Sequence, residues 1–226
     1  LAHLFVGSQG TLGLLSKVKI RIIKNTSHRK LVAIFFKSWD DLPSVVNSLL
    51  PLGLESLEAF DDATLMLALK FMPEIAAKAH ESFLKFSLRF LPEVFMGIEM
   101  LGFPKLIVLA EFAEDDQIEL DRKVEEAVKK LIDFPVHFRT LSDETEAEKY
   151  WVMRRESFNL LRQHVHGKRT APFVDDFAID PNKMPEFLPK LLKILQDKDI
   201  QDNIAGHAGN GNYHIIPIMA LTMETE

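Results

Sequence analysis

The sequence predicts an α+β fold, with a ferredoxin-like antiparallel sheet and helices packed on one face of it. Segments with the two-residue period of strands alternate with segments of helical period, and short connections join them. The pattern contains two β-α-β-type halves and lacks the uninterrupted spacing of a doubly wound parallel sheet. A hydrophobic content of 47% over 226 residues supplies the core that such a fold needs.

In the first half, apolar alternation and apolar runs predict strands, and acidic residues predict where helices begin. Asp41, with Pro43 in the first turn, begins a helix that runs to Leu50. Asp61 and Asp62 cap the next helix. The predicted strands of this half are residues 18–22, 31–36 and 54–60.

The second half continues the same alternation of elements. Helices are predicted at 73–90, 117–132, 143–164 and 183–195. Strands are predicted at 106–112, 136–140 and 173–179, and two short strands are predicted around a glycine-rich turn within 203–219.

Composition excludes several classes of function. A net charge of −6 with scattered lysines and arginines provides no basic surface for a nucleic acid backbone, so no nucleic acid partner is expected. The chain contains no cysteine, so any metal within it is held by His, Asp, Glu or Asn. Zero cysteine suits a reducing cytoplasm, and no apolar run has the length of an integral membrane segment.

Both ends suggest part of a longer chain, because Leu1 falls within a pattern and Glu226 follows no closing helix or strand signal. We therefore expect segments of the whole protein to lie outside these residues, and targeting signals cannot be read from this chain.

The strongest chemical signal is the run Gly206-His207-Ala208-Gly209-Asn210-Gly211-Asn212-Tyr213-His214. Its three glycines let the backbone fold back, so that two imidazoles seven residues apart can meet at one point. This arrangement predicts a metal or substrate site on a hairpin-like bend. The alternative is a polar turn that carries two unrelated histidines.

A second glycine-rich turn lies at the start of the chain. A Gly-Ser-x-Gly-Thr turn exposes backbone N–H groups and small hydroxyls, which suits contact with a flavin or its pyrophosphate. A simple strand-to-strand turn is the alternative. The candidate contact residues are Gly7, Ser8, Gly10, Thr11 and Gly13.

The histidine run resembles the Gly-His-x-Gly-Asp-Gly-Asn-x-His motif of the C-terminal domain of FAD-linked oxidases of the vanillyl-alcohol-oxidase type. The resemblance implies that His207 and His214 ligate a divalent metal, usually zinc, and have catalytic roles at the substrate hydroxyl. It also places Asn212 among the cofactor-binding residues. Asn210 replaces the family's commoner Asp, and the family's third ligand, a glutamate, would lie beyond Glu226.

The run Phe5-Val6-Gly7-Ser8-Gln9-Gly10-Thr11-Leu12-Gly13-Leu14 resembles the Ile-Gly-Ser-Glu-Gly-Thr-Leu-Gly-Ile segment near the end of the same family's FAD-binding domain. Two motifs in the family's order strengthen each other. The resemblance implies that residues 1–26 are the C-terminal tail of the FAD-binding domain. Residues 27–226 are then the substrate or cap domain, truncated at its C-terminus.

Between these motifs, Trp151-Val152-Met153-Arg154-Arg155-Glu156 resembles a helix of the family that carries a substrate-binding arginine. A guanidinium suits bidentate capture of a carboxylate, and motif position favours Arg154 over its neighbour Arg155. Val174 and Ile216 stand where some metal-dependent members have Lys and Asn, so the identity of the substrate does not transfer.

The function that the resemblance implies is FAD-dependent oxidation of a small 2-hydroxy acid such as lactate, glycolate or 2-hydroxyglutarate. An electron acceptor or iron–sulfur partner subunit would remove the electrons, and a homodimer is one assembly left open. No turnover is expected from this chain alone. The alternatives are a non-enzymatic ferredoxin-like metal- or ligand-binding module, and a metal-independent flavin oxidase in which His214 contacts the flavin or acts as the base.

Overall fold

Eight strands of the described residues build one antiparallel sheet. The computed structural model describes residues 2–22, 24–78, 82–141, 143–164, 169–170, 176–198, 200 and 202–219. The order across the sheet is β4-β1-β3-β2-β7-β8-β5, and β6 also pairs with β8. The strands are β1 (His28–Phe36), β2 (Ser56–Asp61), β3 (Leu106–Glu114), β4 (His137–Leu141), β5 (Arg169–Thr170), β6 (Asp176–Ala178), β7 (Asp202–His207) and β8 (Asn212–Met219).

The helices of the described residues lie before and between these strands. They are α1 (Ala2–Phe5), α2 (Leu42–Leu49), α3 (Asp62–Lys70), α4 (Met72–Lys78), α5 (Phe83–Leu88), α6 (Leu91–Glu99), α7 (Gln117–Leu131), α8 (Glu144–His164) and α9 (Met184–Asp197). Within the described ranges, no helix is both long enough and apolar enough to cross a bilayer.

The ferredoxin-like core is the part β1-α2-β2 and β3-α7-β4, whose strands lie in the order β4-β1-β3-β2. Val32, Ile34 and Phe36 of β1 point to one face and pack with apolar residues of α2, α7 and α9. The α+β class, the antiparallel sheet and this helix layer are therefore confirmed.

A second set of helices covers part of the opposite face. Leu31, Ala33 and Phe35 of β1 alternate with the residues above and pack with apolar side chains of α3, α4, α5 and α8. The helices α3 to α6 are inserted between the two halves of the ferredoxin-like core. The candidate site lies on this second face.

The helix predicted at 73–90 differs from the structure. The single helix predicted at 73–90 is two helices, α4 and α5, because the hydroxyl of Ser82 accepts a bond from the Lys85 N–H (3.4 Å) and begins a new helix. Residues 79–81 lie outside the described part. The sequence did not predict helix α6. Of the strand predicted at 173–179, residues 173–175 lie outside the described part and residues 176–178 form β6.

The strand predicted at residues 18–22 is not formed. The apolar side chains of this stretch are exposed, Val18, Ile20 and Ile22 among them. A strand needs a neighbour to accept and donate its backbone hydrogen bonds, and no described strand pairs with this segment. The alternation of apolar residues therefore predicted which side chains share a face, but it could not predict whether a partner strand lies alongside.

Candidate active site

The histidine run forms the bend between β7 and β8. A short 3₁₀ turn, Ala208–Asn210, joins the strands, and His207 pairs with Asn212 across them. Gly211 ends the turn in the left-handed region, with φ of 64°. The predicted pair of short strands around a glycine-rich turn is thus observed.

Two glycines of the bend are required by close backbone contacts. A Cβ on Gly211 would lie 1.7 Å from the carbonyl oxygen of Ile179, and the Ile179 N–H donates to the Gly211 carbonyl (2.9 Å). A Cβ on Gly206 would lie 2.3 Å from the carbonyl oxygen of Asn212. Side chains are excluded at both positions, which lets β6, β7 and β8 approach closely around the histidines.

The bend brings the two imidazoles together on the second face of the sheet. His214 lies opposite Ala205 in the β7–β8 register, and His207 is two residues farther along β7, so the histidines are diagonal neighbours. Their ring centroids are 5.6 Å apart, with an angle of 85° between the ring planes. The rings are therefore close and edge-on.

A buried glutamate of β2 contacts the first of these histidines. The antiparallel register pairs Ala59 of β2 with Gly206 of β7, so Glu58, one residue before Ala59, lies opposite His207. Its Oε1 lies 2.6 Å from His207 Nδ1, and its side chain is only 10% exposed. Because a carboxylate only accepts hydrogen bonds, His207 Nδ1 carries the ring proton and donates a hydrogen bond to Glu58. The lone pair of the ring is then on Nε2.

The same glutamate holds Arg154 of α8. Its Oε2 forms an ion pair with Arg154 Nη2. The Arg154 side chain is 21% exposed and its Nε is buried without a hydrogen-bond partner in the described part of the chain. Arg155, the other candidate, is 65% exposed and lies 3.7 Å from Glu156. Glu58 therefore connects Arg154 and His207, and Arg155 is turned away to the surface.

A cavity of about 230 Å³ opens beside this group. Glu58, His207 and Asn210 contribute to its wall together with Ser56 and Gly209. His214 and Arg154 are not among the residues that line it. The cavity thus lies next to Glu58 and His207.

A complete metal-ligand set is not present in the described ranges, where no group of three or more His, Asp or Glu residues could hold an ion. Glu58 is engaged with Nδ1 of His207 and with Arg154, which is the arrangement of a supporting carboxylate rather than of a ligand.

The remaining predicted residues lie as follows. Asn212 is on β8, between His207 on β7 and Ala178 on β6. Asp176 of β6 is the register partner of His214.

The N-terminal turn has the tight geometry that its sequence suggested. Gly7 and Gly10 each have φ of 81°, and Ser8 lies between them. The Thr11 N–H and its hydroxyl both donate to the Ser8 carbonyl, at 2.9 and 2.6 Å. Gly7, Gly10, Thr11 and Gly13 are exposed, so the turn is accessible to a ligand.

Glu58 is the site residue that sequence reasoning missed. The signal was available, because Glu58 is an acid within the otherwise apolar run Leu57-Glu58-Ala59-Phe60. Alternation puts Glu58 on the same face as Phe60, which is fully buried. A charge in such a strand needs a partner, and the sequence could not say which one.

The chain is similar to curated enzymes over nearly its whole length. D-2-hydroxyglutarate dehydrogenase of Haemophilus influenzae is 22% identical, over 98% of this chain and 21% of the relative. The enzyme of the same name from Pseudomonas putida is 26% identical, over 94% and 20%. Glycolate oxidase subunit GlcD of Bacillus subtilis is 23% identical, over 95% and 40%. The chain therefore spans between a fifth and two fifths of these relatives.

Solved structures share the fold at low identity. An alkyldihydroxyacetonephosphate synthase superposes with a TM-score of 0.64 at 12% identity, over 99% of this chain and 41% of that one. A 4-ethylphenol oxidase from Gulosibacter chungangensis gives a TM-score of 0.52 at 16% identity, over 87% and 40%.

The family model described as FAD linked oxidases, C-terminal domain, matches residues 25–226. This range includes every described strand of the sheet and the four residues of the Glu58 group, which are Glu58, Arg154, His207 and His214. The chain belongs to this family, the C-terminal domain of the FAD-linked oxidases.

Proposed function

We propose that this chain forms the substrate-binding side of an FAD-dependent oxidoreductase that converts a small 2-hydroxy acid to the 2-oxo acid. One observation carries the proposal: the buried carboxylate of Glu58 holds both His207 and Arg154, with the His214 ring 5.6 Å from that of His207. A cation and two imidazoles within one polar group suit a ligand that bears a carboxylate next to a hydroxyl. Family membership supports FAD as the cofactor.

Arg154 is the residue we assign to the substrate carboxylate. Its Nη2 is occupied by Glu58, and its buried Nε is without a hydrogen-bond partner in the described part of the chain. The side chain as a whole is 21% exposed, and we propose that an arriving carboxylate pairs with the guanidinium from the exposed side. Glu58 limits the rotation of the guanidinium and so positions it before the ligand binds.

His207 and His214 are the residues we assign to the substrate hydroxyl. Since Glu58 accepts from Nδ1 of His207, Nε2 of that ring can accept a proton from the hydroxyl or ligate a metal. Glu58 stabilises the protonated ring in the first role and orients the neutral ring in the second. In either role the hydroxyl loses a proton while C2 loses a hydride, which is the electron balance of alcohol oxidation.

The residues present fit part of a zinc site. Metal-bound histidines usually donate their other N–H to a carboxylate, as His207 does to Glu58, and His214 is close enough to share an ion. We therefore propose His207 and His214 as two ligands. A divalent ion, when bound, lowers the pKa of a coordinated hydroxyl, and FAD, when bound, accepts the hydride.

The N-terminal turn around Ser8 and Asn212 of β8 are proposed to contact the flavin. The Ser8 turn is exposed at Gly7, Gly10 and Thr11, and internal bonds from the Thr11 N–H and hydroxyl to the Ser8 carbonyl hold its shape, which suits close approach of a pyrophosphate or flavin edge. Asn212, next to His207 in the sheet, is proposed as a second contact.

Titration of the chain with zinc tests the histidine site directly. His207→Ala and His214→Ala should each lose most of the affinity, and Glu58→Gln should weaken it by about tenfold through loss of the supporting carboxylate. His28→Ala is the control, because His28 is an exposed residue at the far end of β1. Equal affinity in all variants would exclude this pair as metal ligands.

The oxidation itself is tested in the whole flavin-loaded protein, because no turnover is expected from this chain alone. The readout is anaerobic bleaching of flavin absorbance on addition of D-2-hydroxyglutarate, D-lactate or glycolate. Arg154→Lys should raise KM far more than Arg155→Lys, because only Arg154 faces the Glu58 group. Zinc binding without flavin reduction by any 2-hydroxy acid would leave a metal-binding module and refute the enzyme assignment.

A further inference from the structure

An aspartate lies next to the second histidine in the sheet. Asp176 and His214 are register partners in the antiparallel pair of β6 and β8. On the other side of β8, His214 pairs with Ala205 of β7, two residues before His207. Register partners share a face of the sheet, and so do residues two positions apart on one strand. Asp176 and the two histidines therefore belong to one face.

Asp176 and His214 form the closer of the two kinds of antiparallel pair. The Ile179 N–H donates to the Gly211 carbonyl (2.9 Å), so these two residues form a hydrogen-bonded pair of the ladder. The two kinds of pair alternate along an antiparallel ladder, and Asp176 lies three residues before Ile179. Its pair with His214 is therefore of the non-hydrogen-bonded kind, in which the Cα atoms are only about 4.5 Å apart.

The other histidine shows what an acid at such a position does on this face. Glu58 lies opposite His207 on the neighbouring strand, and its Oε1 accepts a hydrogen bond from Nδ1 of the ring at 2.6 Å. Nδ1 is the ring nitrogen nearer to the backbone, so an acid on an adjacent strand reaches it first. An aspartate is shorter than a glutamate, which suits the small separation of a non-hydrogen-bonded pair.

We propose that Asp176 is the second supporting carboxylate of the site, and that it accepts a hydrogen bond from Nδ1 of His214 as Glu58 does from His207. Asp176 is then a positioning residue, because it acts on a ligand only through the imidazole. This role rests on the proposed function, whereas the hydrogen bond itself needs neither flavin nor metal nor turnover.

A second supporting carboxylate sets the same state on both rings. With Nδ1 of each imidazole donating, the lone pair of each ring is on Nε2, the nitrogen that can then ligate an ion or accept a proton. Arg154 balances the charge of Glu58. Asp176 therefore makes the group negative while both rings are neutral, which favours a divalent cation between them.

Nuclear magnetic resonance of the metal-free chain with ¹⁵N-labelled histidine tests the hydrogen bond. Long-range ¹H–¹⁵N spectra at about pH 8, above the ordinary pKa of histidine, report which ring nitrogen carries the proton. His207→Ala and His214→Ala identify the two signals. In the unmodified chain the proton of His214 should be on Nδ1. In Asp176→Ala it should move to Nε2, the form that predominates in water, while the signals of His207 stay unchanged.

Three variants control this measurement. Glu58→Ala should have the reciprocal effect, changing the ring of His207 and leaving that of His214. Asp180→Ala should change neither ring, because Asp180 is exposed and accepts instead from the Asn182 N–H (2.9 Å). Asp176→Glu should restore the Nδ1–H form of His214, since it returns a carboxylate. Urea denaturation checks folding, and Asp176→Ser replaces Asp176→Ala if the latter is unfolded.

Zinc titration of the same variants tests the supporting role. Asp176→Ala should weaken zinc binding by about tenfold, the usual effect of losing a supporting carboxylate, and Asp176→Glu should recover most of the affinity. A loss as large as that in His214→Ala would make Asp176 a direct ligand and overturn the role proposed here, as would an unchanged affinity.

The ring spectra decide the hydrogen bond separately from the proposed oxidation. A proton on Nε2 of His214 in the unmodified chain, or on Nδ1 in both the unmodified chain and Asp176→Ala, refutes the pairing even if the whole protein oxidises a 2-hydroxy acid. Conversely, a whole protein that reduces no flavin, together with a proton that moves in Asp176→Ala, refutes the proposed function and leaves the pairing established.

Discussion

Replacing Asp61 with asparagine should remove a defined part of the pH dependence of folding. Asp61 lies where β2 ends, is 5% exposed and caps α3. Its Oδ1 accepts from the Thr64 N–H (2.8 Å), and its Oδ2 accepts from the Ile204 N–H of β7 (2.6 Å). The carboxyl thus joins α3 to the strand that carries His207.

The magnitude follows from the pKa. Burial raises the pKa of Asp61 from 3.8 to about 6, although the bonds from Thr64 and Ile204 oppose the increase. The native state therefore binds this proton more tightly than the unfolded chain, and the free energy of unfolding falls as the pH rises through that interval. The full effect is about 3 kcal/mol between about pH 4 and about pH 7.

Urea denaturation at several pH values across that interval measures the effect. The chain contains 33 acidic residues, so the informative quantity is the difference between the unmodified chain and Asp61→Asn at each pH. That difference should shift by about 3 kcal/mol in favour of the variant as the pH rises, because asparagine has no proton to lose. At low pH the variant should be less stable by about 1–3 kcal/mol, because one amide oxygen cannot replace both acceptors.

Asp62→Asn is the matched control. Asp62 is the next residue, but its side chain is 34% exposed and pairs with Lys105 at the surface (2.7 Å). Its replacement should leave the pH dependence of the free energy of unfolding between about pH 4 and about pH 7 nearly unchanged. If the stability curves of the unmodified chain and Asp61→Asn are parallel over this range, the assignment of the buried proton is wrong.

Three further predictions concern the bend, the buried lysine and the supporting glutamate. Gly211→Ala should destabilise the fold by more than about 3 kcal/mol, because a Cβ there would meet the backbone of Ile179. Gly53→Ala is at a similar positive φ but would meet only the flexible end of Lys123 at 3.4 Å, so it should cost about 1 kcal/mol; equal changes in Tm would contradict the contact with Ile179. Lys149→Met should cost about 3 kcal/mol in urea denaturation, because Glu93 loses a buried partner, and a neutral result would mean that the pair is not formed. Glu58→Gln should lower kcat/KM of the flavin-loaded protein for a 2-hydroxy acid by about 10- to 100-fold with little change in Tm, and an unaltered rate would deny Glu58 its positioning role.

Local sequence signals located most of the elements. Strand periods and acidic caps placed β1, β2 and β3 and the helices α2, α3 and α7 within a few residues, because each is specified by neighbours in the chain. The helix predicted at 73–90 was too long, since a single hydroxyl at Ser82 begins a new helix within an uninterrupted apolar pattern.

The candidate site depends on long-range contacts that local sequence signals do not predict. The two histidines could be brought together in prediction because only seven residues separate them and glycines permit the bend. The link to Arg154 could not, because Glu58 reaches that arginine across 96 positions of the chain and His207 across 149. Similarly, side chains of five elements, β1, α3, α6, β3 and α8, line a cavity under α6.

By itself, the sequence determined the α+β class, the strand and helix segments and the bend that carries His207 and His214, since these depend on short-range periodicity and on backbone freedom at glycine. The tertiary structure alone decided that residues 18–22 form no strand, that helices cover both faces of the sheet, and that Glu58 joins His207 to Arg154. These outcomes depend on which distant segments lie next to each other. Backbone pairing and the burial of charge are properties of those neighbours, which a linear pattern does not specify.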